Sequence, residues 1–151
     1  MDTRIWISSE PFNISQEYKL LSSNNSDGAV VTFIGKVRSY NLGSSVFTLT
    51  LEHYASMAEK ELESIVANAR KRWTLKKVTV IHRIGKFIPG DDILFVGLSS
   101  AHRSSAFIAI QFIVDYLKMY APFWKYETTV DGGRWLDVNH SDQQSLERWQ
   151  Q

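Results

Sequence analysis

The sequence contains no cysteine. That excludes disulfides, thiolate metal ligands and a cysteine nucleophile, and leaves the cytoplasm as the default compartment. Charge of one sign is not in excess either. The 17 basic and 16 acidic residues leave a net charge of +1, too little for the global basic field of a general nucleic-acid binder. Long apolar runs are also missing. The start, MDTRIWISSEPF, lacks the apolar core of a signal peptide, and the run from Ala106 to Leu117 is interrupted by Gln111 and Asp115, so no membrane span is expected. Nucleotide-fold and hydrolase templates find no support, because GxGxxG, P-loop and GxSxG patterns are absent. His53, His82 and His140 show no metal-ligand spacing and there is no HExxH, so neither a metal nor a cofactor is assigned.

What is present is ordinary in amount and distinctive in arrangement. With 151 residues, 44% hydrophobic and 22% charged, the chain is expected to form one domain over residues 1–151. A chain of that length buries roughly 70% of the surface its unfolded form exposes. The organising stretch is Ser99 to Glu127, SSAHRSSAFIAIQFIVDYLKMYAPFWKYE. Ala106, Ile110, Ile113 and Leu117 share one helical face, which Phe107 and Val114 are expected to widen. Pro122 cannot continue a helix and biases Ala121 away from one, so the helix should stop near Met119 or Tyr120. His102 and Arg103 then stand at its start, where free N–H groups and the helix dipole favour an anion. Lys118 falls in its last turn and Lys125 on the segment that follows. Cations thus bracket a buried helix.

Around this helix the spacing predicts strands. Arg4 to Ile7 reads as a short edge strand ending near Pro11, and Ser15 as the cap of a short helix over Gln16–Leu21. Alternation over Ala29–Ile34 and over Val46–Tyr54 gives two strands, the second with Phe47, Leu49 and Leu51 inward. The polar loop Ser39 to Ser45 between them suggests an antiparallel pair. Ser56 with Glu59 reads as a capping box for a helix burying Ala58, Leu62, Ile65, Val66 and Ala69. That helix ends in Arg70-Lys71-Arg72, where positive charge complements the dipole. Val78–Ile84 and Ile93–Leu98 are further strands, with Pro89-Gly90-Asp91-Asp92 turning the chain between them. Phe123–Thr129 and Gly133–Val138 complete the set, with Asp131-Gly132-Gly133 as a hairpin turn. The polar tail, residues 139–151, reads as helical or loose. The fold class is α+β, a mixed or antiparallel sheet packed with helices.

Each candidate for chemistry has a plain structural reading beside it. Lys118 suits the helix dipole as a surface charge. Lys125 lies across a strand from Trp124 and Tyr126, as a solvated charge would. Arg38 follows a buried strand into a loop, where exposed charges and ligand contacts both occur. His102, beside Ser99, Ser100 and Ser104, fits a hydrogen-bonding helix start, and Arg103 a surface ion pair. Residue physics alone reaches an α+β domain with an anion site at the His102–Arg103 end. It does not reach a reaction.

Five segments go further: GAVVTFIGKVRSYNLGSSV, LTLEHYASMAEKEL, VTVIHRIGKFIPGD, VGLSSAHRSSAF and DYLKMYAPFWKYE. Their order and spacing resemble those of the large, catalytic subunit of molybdopterin synthase, the MoaE family. The similarity runs from about Ile5 to the SDQQ segment at Ser141–Gln144. The resemblance implies a hammerhead-like α+β subunit that forms a homodimer. Each subunit would bind a small ubiquitin-like sulfur carrier, giving a heterotetramer. The carrier's C-terminal Gly-Gly thiocarboxylate would enter a pocket and pass its sulfur to cyclic pyranopterin monophosphate, two transfers building the dithiolene of molybdopterin. The chain would thus be a cytoplasmic sulfurtransferase of molybdenum cofactor biosynthesis, with no nucleic-acid or membrane partner.

By that resemblance Lys118 and Lys125 are the catalytic lysines. Lys118 takes the closer role, handling a proton or stabilising the carbonyl intermediate, and Lys125 an electrostatic and orienting one. Crowding among cations makes a lysine a usable proton donor or acceptor near neutrality. Arg38, His102 and Arg103 are assigned to the substrate anion, the His-Arg pair acting in its own pocket or across the dimer. Relatives often carry a basic residue after the second lysine, where this chain has Tyr126. The missing cysteine makes sense if sulfur arrives on the partner. Two rivals stand beside this reading. One is a non-catalytic module docking a ubiquitin-like partner through Phe33, Phe123 and Trp124. The other is a nucleotide or single-stranded RNA binder, which the charge balance and lack of an RNP-like motif oppose.

Overall fold

Alternating apolar residues build two sheets in the computed structural model, which describes residues 2–53, 55–120, 123–136 and 140–150. In the first sheet the order is β1 (Asp2–Ser8), β5 (Lys77–Arg83), β7 (Asp92–Ser100), β2 (Ala29–Lys36). β1 runs parallel to β5, and the other two pairings are antiparallel. The second sheet is ordered β3 (Tyr40–Asn41), β4 (Ser44–His53), β8 (Phe123–Thr129), β9 (Gly132–Trp135), and β6 (Gly85–Phe87) also pairs with β4. The helices are α1 (Ile14–Leu21), α2 (Ala55–Arg72), α3 (Arg103–Tyr120) and α4 (His140–Glu147). The class is α+β, as the spacing implied.

Helices cover both faces of the first sheet, so its central strand β7 is apolar without alternation and buried from Ile93 to Ser100. On one face Leu62, Ile65, Val66 and Ala69 of α2, with Ala106, Ile110, Ile113 and Leu117 of α3, pack on Val78, Val80, Leu94, Val96 and Leu98. On the other face Leu21 of α1 meets Ile81 and Phe95. Gly97 is required there, because a Cβ would collide with Leu21 Cδ1 and the Phe95 ring. Arg4 pairs with the buried Glu17 and ties α1 to the edge strand β1. Among the described residues no helix is long and apolar enough to cross a membrane.

Several local expectations are corrected. β2 and β4 do not pair: β2 bonds β7, whereas β4 bonds β3, β6 and β8. Alternation identifies strands but not partners, and Val37, buried with Leu49 and Leu51, carries the chain from one sheet to the other. The loop over residues 39–45 contains a tight hairpin, since Tyr40 pairs with Ser45 across Leu42 (φ 48°) and Gly43 (φ 83°). Phe47 faces solvent at 55% exposure, because a bulge between Val46 and Thr48 shifts the register and turns Val46 inward instead. Phe107 is likewise 61% exposed, and Ala109 and Phe112 widen the buried face of α3 on its opposite side. Asn13, not Ser15, caps α1, its Oδ1 accepting the Gln16 N–H at 3.0 Å. Ser56 lies inside the first turn of α2 rather than at its cap. The β8–β9 turn is Val130–Asp131, since Thr129 pairs with Gly132. β6 escaped notice because three residues are too few to show a period. The helix end at Tyr120 agrees with expectation. The proposed breaker Pro122, with Ala121, and the expected strand end at Val138 lie outside the described residues.

The C-terminal segment is anchored by Trp149, 8% exposed, whose rings sit edge-on to Trp73 and Phe112. Its Nε1 donates to Asp115 Oδ2 at 2.8 Å, and its carbonyl accepts from Arg72 Nη2 at 2.9 Å. Trp149→Ala is expected to cost about 3–5 kcal/mol of stability in urea unfolding, the usual result of emptying a large aromatic site. A loss below about 1 kcal/mol would mean that the Trp149 ring contributes little to the core.

Candidate functional site

Lys118 and Lys125 reach one place from two elements. Lys118 lies in the last turn of α3 and Lys125 at the third position of β8. Both are half-buried. On β8 the alternation holds: Phe123, Lys125 and Glu127 share one side, while Trp124, half-exposed at 51%, points away. The strand is fixed by pairing, Lys125 opposite Leu51 of β4, with its carbonyl accepting the Leu136 N–H at 2.9 Å.

The charges of both lysines act on one buried histidine, His82. His82 closes β5 on the same side as Val78 and Val80, the face covered by α3. Its ring stacks on Phe123 with centroids 3.8 Å apart and planes 13° from parallel. His53, opposite Phe123 in the β4–β8 register, stacks on the same phenylalanine at 6.0 Å. Burial lowers the His82 pKa to about 3; the Arg83 backbone hydrogen bond opposes this, and the charges of Lys125, Lys118 and His53 add to it. The fold therefore gathers Lys118, Lys125, His82 and His53. An open cleft of about 420 Å³ adjoins the group, lined by Ser9, Leu51, Glu52, His53, Ile84 and Gly85.

Arg38 is tied to the lysine strand through hydrogen bonds. Its Nη2 donates to Asn41 Oδ1 at 2.9 Å, and Asn41 Nδ2 donates to Glu127 Oε2 at 3.1 Å. Glu127, 3% exposed and two residues after Lys125, takes Nε and Nη2 of Arg134 on its other oxygen at 2.9 and 2.6 Å. Arg134 Nη2 also reaches the Asn41 carbonyl at 2.7 Å. The buried carboxylate is thus satisfied by charge-assisted bonds and holds the Leu42–Gly43 hairpin, with Arg38 beside it, against β8.

His102 and Arg103 stand elsewhere. Both are exposed, and the His102 carbonyl accepts the Ala106 N–H at 3.2 Å as α3 begins. At about 1.5 Å per residue, Arg103 and Lys118 are separated by roughly 22 Å along the helix. One chain does not bring the His-Arg pair to its own lysines. The nearby serines serve the fold: Ser99 Oγ accepts the Lys77 N–H at 3.1 Å, and Ser100 Oγ donates to the Thr74 carbonyl at 2.9 Å.

Sequence reasoning weighed His82 and His53 only as metal ligands and passed over Arg134. His82 had a usable signal, since period two places it beside Val78 and Val80 on a buried face. Arg134 had none, because its meeting with Glu127 depends on the register of the β8–β9 hairpin. Among the described residues no group of three or more histidines and carboxylates could hold a metal ion. The arrangement can hold anions and move protons.

The MoaE protein family model matches residues 7–120. A molybdopterin synthase catalytic subunit from Salmonella typhimurium is 60% identical over 148 residues, covering 98% of this chain and 99% of that relative. The solved structure of the molybdopterin biosynthesis MoaE protein from Burkholderia ambifaria superposes with a TM-score of 0.84 at 41% identity, covering 100% of this chain and 99% of that one. A chain from Helicobacter pylori, in a complex of subunits 1 and 2 of molybdopterin-converting factor, shares the fold at a TM-score of 0.69 and 17% identity, over 89% and 90% of the two chains. Matched along nearly its whole length, the chain belongs to the MoaE family of molybdopterin synthase catalytic subunits, enzymes of molybdopterin biosynthesis.

Proposed function

We propose that this chain transfers sulfur from the C-terminal thiocarboxylate of a small ubiquitin-like carrier subunit to cyclic pyranopterin monophosphate, forming the dithiolene of molybdopterin. The observation that carries the reading is the meeting of Lys118 and Lys125 around a buried neutral histidine, in a chain of this family that has no sulfur nucleophile of its own. Each transfer forms a carbon–sulfur bond on the pterin in place of a carbon–oxygen bond, whose oxygen leaves on phosphate or as water, while water cleaves the carrier's carbon–sulfur bond and its acyl group leaves as a carboxylate. Neither oxidant nor reductant is needed. Thiocarboxylate and substrate phosphate are both anions, so a site that joins them needs several cations. Lys118 handles the proton or stabilises the oxyanion of the carbonyl intermediate, and Lys125 orients the thiocarboxylate. Arg38 binds the substrate anion, and His102 and Arg103 do so across a homodimer within a cytoplasmic heterotetramer. The complex of subunits 1 and 2 of molybdopterin-converting factor from Helicobacter pylori supports a second-subunit partner.

Incubation with thiocarboxylated carrier and the cyclic pterin is expected to yield dithiolene. Carrier binding without product would reduce the chain to a docking module. In calorimetry, Arg38→Ala should weaken pterin binding by about 1.5–3 kcal/mol, the worth of a hydrogen bond to a charged group. Carrier docking should be nearly unchanged. Equal losses for both ligands would mean that Arg38 supports the hairpin and not the substrate.

A further inference from the structure

Packing alone does not explain a histidine at position 82. The side chain is 7% exposed, and its Nδ1 lies 2.9 Å from the Arg83 carbonyl oxygen. A carbonyl oxygen only accepts, so Nδ1 carries the proton. A neutral ring then has Nε2 as a bare acceptor on its other edge. The surrounding elements supply the possible donors. Lys118 comes from α3, Lys125 from β8 and His53 from β4. The strand neighbours Ile7 on β1 and Leu94 on β7 are uncharged. The adjacent Arg83 directs Nη1 and Nη2 to the carbonyls of Asp92 and Ser9, while its buried Nε makes no hydrogen bond among the described residues. Stacking on Phe123, two residues before Lys125, fixes the ring relative to the strand that carries this lysine.

We propose that His82 is a positioning residue: its Nε2 accepts from an ammonium of the Lys118–Lys125 pair and sets where that ammonium stands in the site. A valine at this place would fill the space as Val78 and Val80 do. A neutral imidazole combines the flat face that seats Phe123 with a lone pair for a lysine. Burial keeps the ring from protonating, so it remains an acceptor where an ordinary histidine would become a second cation. The rate readout below rests on the sulfur-transfer reading; the spectroscopic one does not.

Nitrogen-15 NMR of the intact, histidine-labelled protein tests the premise. The expected result is a ring protonated on Nδ1, bare on Nε2 and neutral from about pH 5 to 8. A proton on Nε2, or titration within that window, overturns the proposal. His82→Phe tests the consequence, since it keeps a ring for Phe123 and removes the Nε2 lone pair, together with the Nδ1–H bond to the Arg83 carbonyl. Melting should stay near that of the unaltered protein, while dithiolene formation falls about ten-fold or more through misplacement of the lysine. The limb of the pH–rate profile set by the lysine should move by about one unit to lower pH, because an acceptor that favoured the ammonium is gone. A rate and profile identical to those of the unaltered protein overturn the proposal. If His82→Phe does not fold, the NMR result alone decides. An unaltered protein that makes no dithiolene removes the sulfur-transfer reading and leaves the NMR test standing.

Discussion

Lys118→Ala is expected to lose sulfur transfer by about 10²–10⁴-fold while remaining folded, the usual worth of a positioned acid–base group. As a mere helix-end charge, Lys118 would contribute only about 0.3–1 kcal/mol through the dipole. Turnover in a protein that stays folded would then hardly change. The catalytic and structural roles therefore differ by orders of magnitude in rate and by little in melting temperature. The side chain is half-buried where α3 and β8 converge on His82, so its removal should not open the main core, which lies along Ala106, Ile110, Ile113 and Leu117. Lys118→Arg separates two catalytic roles. It keeps the charge, but a guanidinium does not release its proton at working pH and spreads its charge over a plane. Recovery of most activity would make Lys118 an electrostatic anchor. An arginine variant as inactive as the alanine one would require proton transfer or close geometry. Near-normal turnover in folded Lys118→Ala would sink the assignment.

The helix that bears Lys118 was legible because its apolar residues obey one period over four turns and its end is marked by chemistry. β5, β7 and β8 were legible as short runs rich in β-branched and aromatic residues, the first two with a turn signal between them. What the sequence does not carry is partner choice. Nothing in Ala29–Lys36 or Ser44–His53 says that these strands belong to different sheets, and the bulge that turns Phe47 outward arises from pairing with β8. The site divides along the same line. Lys118 and Lys125 were visible as cations at element ends, although only the family resemblance gave them a reaction. Their convergence on His82, and the tie from Arg38 through Asn41 to Glu127, require long-range register that no local pattern encodes. His82 was nonetheless within reach. A histidine in phase with two buried valines must either lose its charge or find an anion, and that dilemma marks a position worth pursuing.

The separation of Arg103 from Lys118 leads to the second large effect. Within one chain they occupy opposite ends of α3, so if both serve one reaction, the arginine must act on a neighbouring copy. The same end of the helix gives a reason for a neighbour to sit there. Phe107, one turn beyond Arg103 on the same face, is 61% exposed, and Ile108 is 40% exposed. Arg103→Ala and Lys118→Ala should each be nearly inactive alone. In a dimer with shared pockets, mixing them creates hybrids in which one pocket carries both substitutions and the other carries neither. With free subunit exchange, half of the dimers are hybrids and each has one intact pocket of two, so about a quarter of the original activity should return. Sedimentation must show a dimer for the experiment to be read, and a clean monomer at micromolar concentration would itself contradict a shared pocket. If subunit exchange is confirmed and activity stays at the level of the parents, Arg103 does not complete a neighbour's site. The roughly 22 Å between it and Lys118 would then assign it to something other than the sulfur-transfer pocket.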